Sequence, residues 1–125
     1  MEPSGDETLT SEMVANVVRK FYDKAFFDPM IGHFFFNLDH DYLIKMQTQF
    51  TLNMLGVEKN SYEGKPLKNA HSRLPLTNVH FNRRQVLMKE VLAESSVSLK
   101  IQEYWMNLEE RLRPVIVNSL TNCRK

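Results

Sequence analysis

The stretch that decides the fold is residues 39–56, DHDYLIKMQTQFTLNMLG. Apolar side chains recur in it every three or four residues, which is the spacing of one helix face; they are Leu43, Met46, Phe50 and Met54. Asp39 has a side chain that caps helix N-termini, and Gly56 is the residue type that most often follows a helix C-terminus. The pattern predicts an α-helix that starts after Asp39 and runs to Leu55.

The segment before this helix is also helical in pattern. A first helix is predicted from near Thr10, a suitable N-cap, to around Phe27. Its inward face comprises Val14, Val17, Val18, Phe21 and Ala25. Asp28-Pro29 then predicts a short helical turn, because Asp caps such a turn and Pro fits its first position.

Three further helices are predicted after Gly56. A polar loop, Glu58 to Lys65, precedes a short helix that begins at Lys65-Pro66, ends at Pro75 and carries Leu67, His71 and Leu74. The next helix runs from Thr77 to Glu94, with Phe81, Val86, Leu87, Val91 and Leu92 inward. The last runs from Ser98 to about Leu120, with Ile101, Tyr104, Trp105, Leu108, Leu112 and Val115 inward, and Pro114 should kink or break it.

Neither strand-like alternation nor an internal repeat appears in this series of helices. The 125 residues are enough for one domain with its own core and too few for two. We therefore predict a single all-α domain over residues 10–121, preceded by a flexible tail over residues 1–9.

Composition argues against several classes of function. The net charge of +1 gives no reason to expect a nucleic-acid partner, and no apolar run approaches the roughly 18 residues of a membrane helix. The single cysteine, Cys123, cannot form an internal disulfide, and the polar N-terminus lacks the order of a signal peptide. These features predict a cytoplasmic protein without nucleic-acid or membrane partners.

Three polar residues fall where the helical pattern calls for apolar ones. Tyr22 lies one turn after Val18, Gln47 lies within the stripe of residues 39–56, and His71 lies on the same face as its apolar neighbours. Each has an ordinary explanation: a core Tyr with its hydroxyl at the rim, a wet Gln at the edge of a stripe, or a hydrogen-bonded core His. Three such residues on three helices are harder to explain separately.

A haem pocket would account for all three residues together. Iron in such a pocket takes a neutral imidazole nitrogen on one side, and on the other side a bound diatomic gas attracts hydrogen-bond donors. A Tyr hydroxyl and a Gln amide are both donors. Eight Phe and seven Met in so short a chain suit the covering of a flat macrocycle.

Other kinds of site have less support. His33 follows a turn glycine, His40 lies in a first helical turn, and His80 lies near a helix start, where a surface role is expected. No His pair has zinc spacing, and neither a phosphate-binding loop nor a nucleophile with an adjacent base is recognisable.

An ordered set of short motifs resembles the truncated, two-over-two helical globins, with spacing closest to their first group. The set is Phe21-Tyr22, Asp28-Pro29, His33-Phe34-Phe35, Gln47, Phe50, Leu55-Gly56, Tyr62, Gly64, Ala70-His71 and His80-Phe81. The resemblance runs from about Met13 to Val115 and implies a two-over-two helical sandwich around haem b (iron protoporphyrin IX).

The resemblance also implies roles for individual residues. His71 matches the proximal iron ligand, while Tyr22 and Gln47 match the distal pair that holds bound oxygen. The residues expected to contact the haem are Phe35 on its face, Leu43 at the usual distal-histidine position, Met46 at the haem edge, and Phe50. Lys68 and Arg73 flank His71, and either is a candidate partner for a haem propionate.

The chain departs from the family pattern at four places. No Gly-Gly pair precedes the first helix, and the second such site reads Gly56-Val57. Thr51 stands where some members have a Phe proposed to gate a ligand tunnel, and Pro114 is unusual in the last helix. None of these departures falls on His71, Tyr22 or Gln47.

Four functions are compatible with these residues. The leading one is reversible binding of O2, and of NO and CO, at a single haem. The second is nitric oxide dioxygenation, which would need a separate reductase because the chain has no flavin or nicotinamide domain. The third is a six-coordinate redox or sensor globin in which Lys45, Met46 or His40 closes on the iron. A haem-free sensor domain is the fourth, and the presence of His71 argues against it.

Overall fold

The computed structural model describes residues 8–58 and 76–117. The predicted short helix from Lys65 to Pro75 lies outside these ranges, as do His71, Lys68 and Arg73. The tail before residue 8 and the chain after residue 117 lie outside them too.

Four α-helices and one 3₁₀ helix are formed within the described ranges. The α-helices are α1 (Ser11–Ala25), α2 (His40–Leu55), α3 (Asn78–Glu94) and α4 (Leu99–Glu110), and the 3₁₀ helix is Gly32–Phe35. Residues 113–117 are again helical after a turn. No helix in the described part is long and apolar enough to cross a membrane.

Side-chain caps fix where the helices begin. Thr10, Asp39, Thr77 and Ser98 each accept a hydrogen bond from a backbone N–H in the first turn of the helix that follows. Gly56 ends α2 in the left-handed region, with φ of 79°. The Val57 N–H donates to the Leu52 carbonyl across this turn at 3.0 Å, which satisfies one of the last helical carbonyls.

The helices form two pairs that pack on each other. α1 contacts α2, α3 contacts α4, and the pairs meet through α1 against α3 and α2 against α4. Valines of α1 and leucines of α2 and α3 lie between the pairs, together with the fully buried Trp105. This is the two-over-two arrangement, and it confirms the predicted all-α class.

The predicted inward faces are partly wrong. Val86 and Val115 are 44% and 40% exposed, and Met88 and Gln85 are buried in α3 instead. In α2 only Met46 of the predicted stripe is buried, because Ile44, Thr51, Leu52 and Leu55 face the other helices. The last helix is not continuous: it stops at Glu110, and the break falls just before Pro114, as that proline predicted.

The corner between α1 and α2 is tied down by Asp28, which is buried. One carboxylate oxygen of Asp28 accepts from the N–H groups of Met30 and Ile31, and the other accepts from Arg83 of α3 at 2.6 and 2.9 Å. Gly32 makes a close approach possible, since a Cβ there would lie 2.7 Å from the Phe26 carbonyl oxygen. The corner therefore places the 3₁₀ helix against the end of α1.

Candidate functional site

Two adjoining cavities lie among the helices: the first is lined by α1, the 3₁₀ helix and α3, and the second is lined by residues of all four α-helices. The first has a volume of about 100 Å³ and a mostly apolar wall of Phe21, Tyr22, Ile31, Phe34, Phe35, Leu76, His80, Phe81, Arg84 and Ile116. The second, of about 60 Å³, is lined by Tyr22, Gln47, Phe50, Thr51, Met54, Phe81, Arg84, Glu109, Leu112 and Ile116. Four residues, among them Tyr22 and Arg84, belong to both walls, so the two cavities adjoin.

The Tyr22 ring is held in a cluster of phenylalanines. Its centroid lies 4.9 Å from that of Phe21, 5.4 Å from Phe26 and 5.7 Å from Phe35, and two of these contacts are edge-to-face. Edge-to-face packing is a favoured geometry for aromatic pairs. The ring orientation is thus fixed by α1 itself and by the 3₁₀ helix.

Tyr22 lines both cavities. The residue is only 8% exposed, and no described residue accepts a hydrogen bond from its hydroxyl. Burial raises the pKa of Tyr22 to about 12, with Arg84 lowering it and Glu109 raising it to smaller extents. At neutral pH the group is therefore a protonated phenol that can donate into the cavity.

Gln47 and Phe50 reach the second cavity from α2, where both side chains are half-buried. Phe35 lines the first cavity. Leu43 is half-buried and packs on the core, and Met46 is buried. Neither is among the described residues that line the two cavities. The structure therefore brings together Tyr22, Gln47, Phe50 and Phe35 of the predicted site.

Two histidines differ in their surroundings. The His40 ring stacks on Phe26 at 3.7 Å, and its Nε2 lies 3.0 Å from the Phe35 carbonyl oxygen. His80 forms a capping box with Thr77 and lines the first cavity, although a surface role was expected for it. The Phe34 and His80 rings pack edge to face with their centroids 5.0 Å apart, and both rings line the first cavity.

An ion pair between the half-buried Arg84 and the buried Glu109 completes the wall. Arg84 of α3 donates from both terminal nitrogens to the two carboxylate oxygens of Glu109 in α4, and Trp105 Nε1 donates to Glu109 Oε2 at 3.0 Å. Burial alone would lower the pKa of Arg84, but attraction to Glu109 and the hydrogen bonds to it raise the pKa overall. The guanidinium also lies over the Phe21 ring, 4.8 Å from its centroid.

Sequence reasoning missed Arg84 and Glu109, although the criterion that found Tyr22 applies to both. Arg84 lies three residues after Phe81 and four before Met88, both buried. Glu109 lies four residues after Trp105 on the inward face of α4. Each is a polar residue at an apolar position in its helix, and the incorrect inward placement of Val86 hid the first.

The chain belongs to the bacterial-like globin family, which it matches over residues 7–118. It is 42% identical over 62 residues to a Group 1 truncated hemoglobin of Tetrahymena pyriformis, a match that covers 50% of each chain. It is 33% identical over 81 residues to the Tetrahymena thermophila protein of the same description, covering 65% of this chain and 66% of that one.

Solved structures agree with this membership. The Fe(III) form of the Tetrahymena pyriformis truncated hemoglobin superposes with a TM-score of 0.78 at 30% identity, covering 83% of this chain and 88% of that one. The 2/2 hemoglobin of Synechococcus sp. superposes with a TM-score of 0.71 at 26% identity, covering 90% and 92%. The chain spans 50% and 66% of the lengths of the two Tetrahymena relatives that it matches by sequence. Globins of this family bind haem and diatomic gases such as O2.

Proposed function

We propose that the protein binds O2 reversibly, together with NO and CO, at a single haem b held between α2 and His71. The observation that carries the proposal is the position of Tyr22, a buried residue that lines the same cavity as Gln47. Haem supplies the iron at which a diatomic gas coordinates. The chain supplies the donors, the apolar wall and the proximal imidazole.

The residues around the cavities fit a haem. Phe34, Phe35 and Phe81 give the first cavity an apolar wall, against which a macrocycle would exclude water. A phenol as buried as that of Tyr22 normally has a hydrogen-bond partner. Because Tyr22 lines both cavities, an acceptor bound there would supply that partner. Tyr22 and Gln47 would each donate to the partly negative oxygen of bound O2.

Engineered forms of a solved relative support these two assignments. In the Tetrahymena pyriformis protein, structures exist with one tyrosine replaced by phenylalanine and with each of two glutamines replaced by glutamate. When the relative's tyrosine is matched with Tyr22 and no gap is introduced, the two glutamine positions correspond to Leu43 and Gln47. This chain would then keep one distal glutamine and have an apolar residue in place of the other.

The proximal side of the proposal rests on the family resemblance. His71 would be the iron ligand, and Lys68 or Arg73 would pair with a propionate. Leu43 and Met46 would contact the macrocycle from α2, in keeping with their partial and full burial there.

Nitric oxide dioxygenation is a second candidate function. Two donors at one cavity would hold O2 long enough for NO to reach it, and the oxidised protein would then need a separate reductase. Mixing the oxygenated protein with NO in a stopped-flow instrument tests this. Nitrate formation much faster than oxygen dissociation would support it, and loss of O2 at the dissociation rate would exclude it.

Oxygen dissociation from three variants tests the leading proposal. Tyr22→Phe and Gln47→Leu should each release O2 about 5- to 30-fold faster than wild type, because a hydrogen bond to a partly charged acceptor is worth about 1–2 kcal/mol. Tyr104→Phe is the matched control, since that hydroxyl donates to the Leu55 carbonyl at 3.2 Å and lines neither cavity. Wild-type rates in both distal variants would contradict the proposal.

A further inference from the structure

The cavity wall carries a charge that oxygen binding does not require. Arg84 lines both cavities, and its partner Glu109 lines only the second. The two side chains also differ in access: Arg84 is 27% exposed and Glu109 is 4% exposed. In the first cavity the cation is therefore the half of the pair that a molecule would meet, and in the second cavity it is the more exposed of the two side chains.

Both carboxylate oxygens of Glu109 accept hydrogen bonds from the protein. Its two oxygens accept two hydrogen bonds from Arg84 and one from Trp105. These contacts fix the carboxylate between α3 and α4, and the carboxylate in turn fixes the position of the Arg84 guanidinium.

Arg84 keeps donors in reserve. A guanidinium has five N–H groups, and within the described ranges Glu109 accepts from two of them and Gln85 accepts from a third. The remaining two can donate to a small acceptor in the cavity. Tyr22, on the same walls, adds a neutral donor from α1.

We propose that Arg84 makes this pocket selective for small anionic ligands, with Glu109 and Trp105 acting as positioning residues that hold the guanidinium toward the cavity. The proposal deepens the function proposed above and rests on it, since the anion would occupy the gas-binding position. A fixed cation in a water-poor cavity stabilises a full negative charge far more than it stabilises a neutral diatomic molecule. The ligand class is a linear or bent anion of two or three heavy atoms.

The test compares an anionic with a neutral ligand in the haem-reconstituted protein. Azide affinity is measured by optical titration of the ferric form, and CO affinity is measured on the ferrous form. The main variant is Arg84→Met combined with Glu109→Leu, so that no buried carboxylate is left without its partner. The matched control is Arg83→Met combined with Asp28→Asn, because Arg83 is adjacent on α3 but pairs with the buried Asp28, and neither residue lines either cavity.

The double variant should lose azide affinity by about 10- to 100-fold, the effect of removing a charge-assisted hydrogen bond, with CO affinity within about threefold of wild type. Glu109→Gln should keep or raise azide affinity, because the cation then loses its counter-charge while an acceptor stays in place. Arg83→Met combined with Asp28→Asn should match wild type with both ligands.

Three results would overturn the proposal. One is an azide affinity in the double variant within about threefold of wild type, and another is a parallel loss of azide and CO affinity. The third is unchanged azide affinity with faster haem loss, which would assign Arg84 to a haem propionate. Failure of the underlying function looks different, because wild type itself would then show no haem spectrum to titrate.

Discussion

The Arg84–Glu109 pair makes a sharp prediction about stability. Replacing Arg84 by Met leaves a carboxylate that is 4% exposed, and Trp105 is then its one hydrogen-bond donor among the described residues. Leaving one partner of a buried ion pair alone costs about 3–5 kcal/mol. For a domain of 125 residues each kcal/mol lowers the melting temperature by about 3–4 °C, so the expected loss is about 10–20 °C.

Removing both charges should cost less than removing either one. Arg84→Met with Glu109→Leu replaces the charges with apolar groups, which is often close to neutral for a buried pair. Because Trp105 Nε1 then loses its acceptor, the double variant should be about 1–3 kcal/mol less stable than wild type. The assay is thermal and urea unfolding of the four proteins in the cycle, followed by far-ultraviolet circular dichroism. Additive losses, with the double variant the least stable, would refute the ion pair as described.

Three further predictions concern other parts of the molecule. Gly56→Ala should lower stability by about 1–2 kcal/mol because φ is 79° there, with Gly56→Asn costing less, and equal losses in urea unfolding would contradict the left-handed cap. The hydrogen bonds from Arg83 are the main reason that the pKa of Asp28 lies below its ordinary value of 3.8. The Asp28 carboxylate therefore stabilises the fold above pH 3.8, and this stabilisation is lost as the pH falls through the lowered pKa. Melting curves of Asp28→Asn should therefore depend less on pH below about pH 4 than those of wild type, and parallel curves would count against the assignment. Because burial raises the pKa of Tyr22 to about 12, oxygen dissociation should be constant from about pH 7 to pH 10, and an acceleration centred near pH 10 would show an ordinary, exposed phenol.

Helix boundaries could be predicted from sequence because their signals are local. The predicted N-caps Thr10 and Asp39 and the C-terminal Gly56 act within one turn of the helix they bound, and all three appear in the structure. Thr77 and Ser98, predicted only as the residues where helices start, also act as N-caps. Tyr22 was also placed correctly, because its neighbours Val18 and Phe21 define a clear inward face.

The details of helix orientation could not be predicted in this way. Arg84 and Glu109 are 25 residues apart on different helices, and the contact that buries them has no local signature. A charged residue in a helix is usually solvated. The sequence pattern therefore predicts Val86, and not Arg84, on the inward face of α3, although Val86 is in fact exposed. The break at residues 111–112 shows the opposite case, where Pro114 gave a local signal that was correct.

The joint presence of Tyr22 and Gln47 on one cavity depended on both kinds of information. Each residue stood out by sequence as a polar side chain on an apolar face. Tyr22 and Gln47 line the same cavity because α1 packs beside α2. The assignment of His71 rests on sequence and resemblance, and it is the central claim to test.

The most direct test is a titration of the haem-free protein with haemin, followed by its optical spectrum. Wild type should form a Soret band with a one-to-one end point, and His33→Ala, at an exposed position, should behave identically. His71→Ala should lose the wild-type spectrum and recover it when imidazole is added. A His71→Ala protein with the wild-type Soret band in the absence of imidazole would contradict the account.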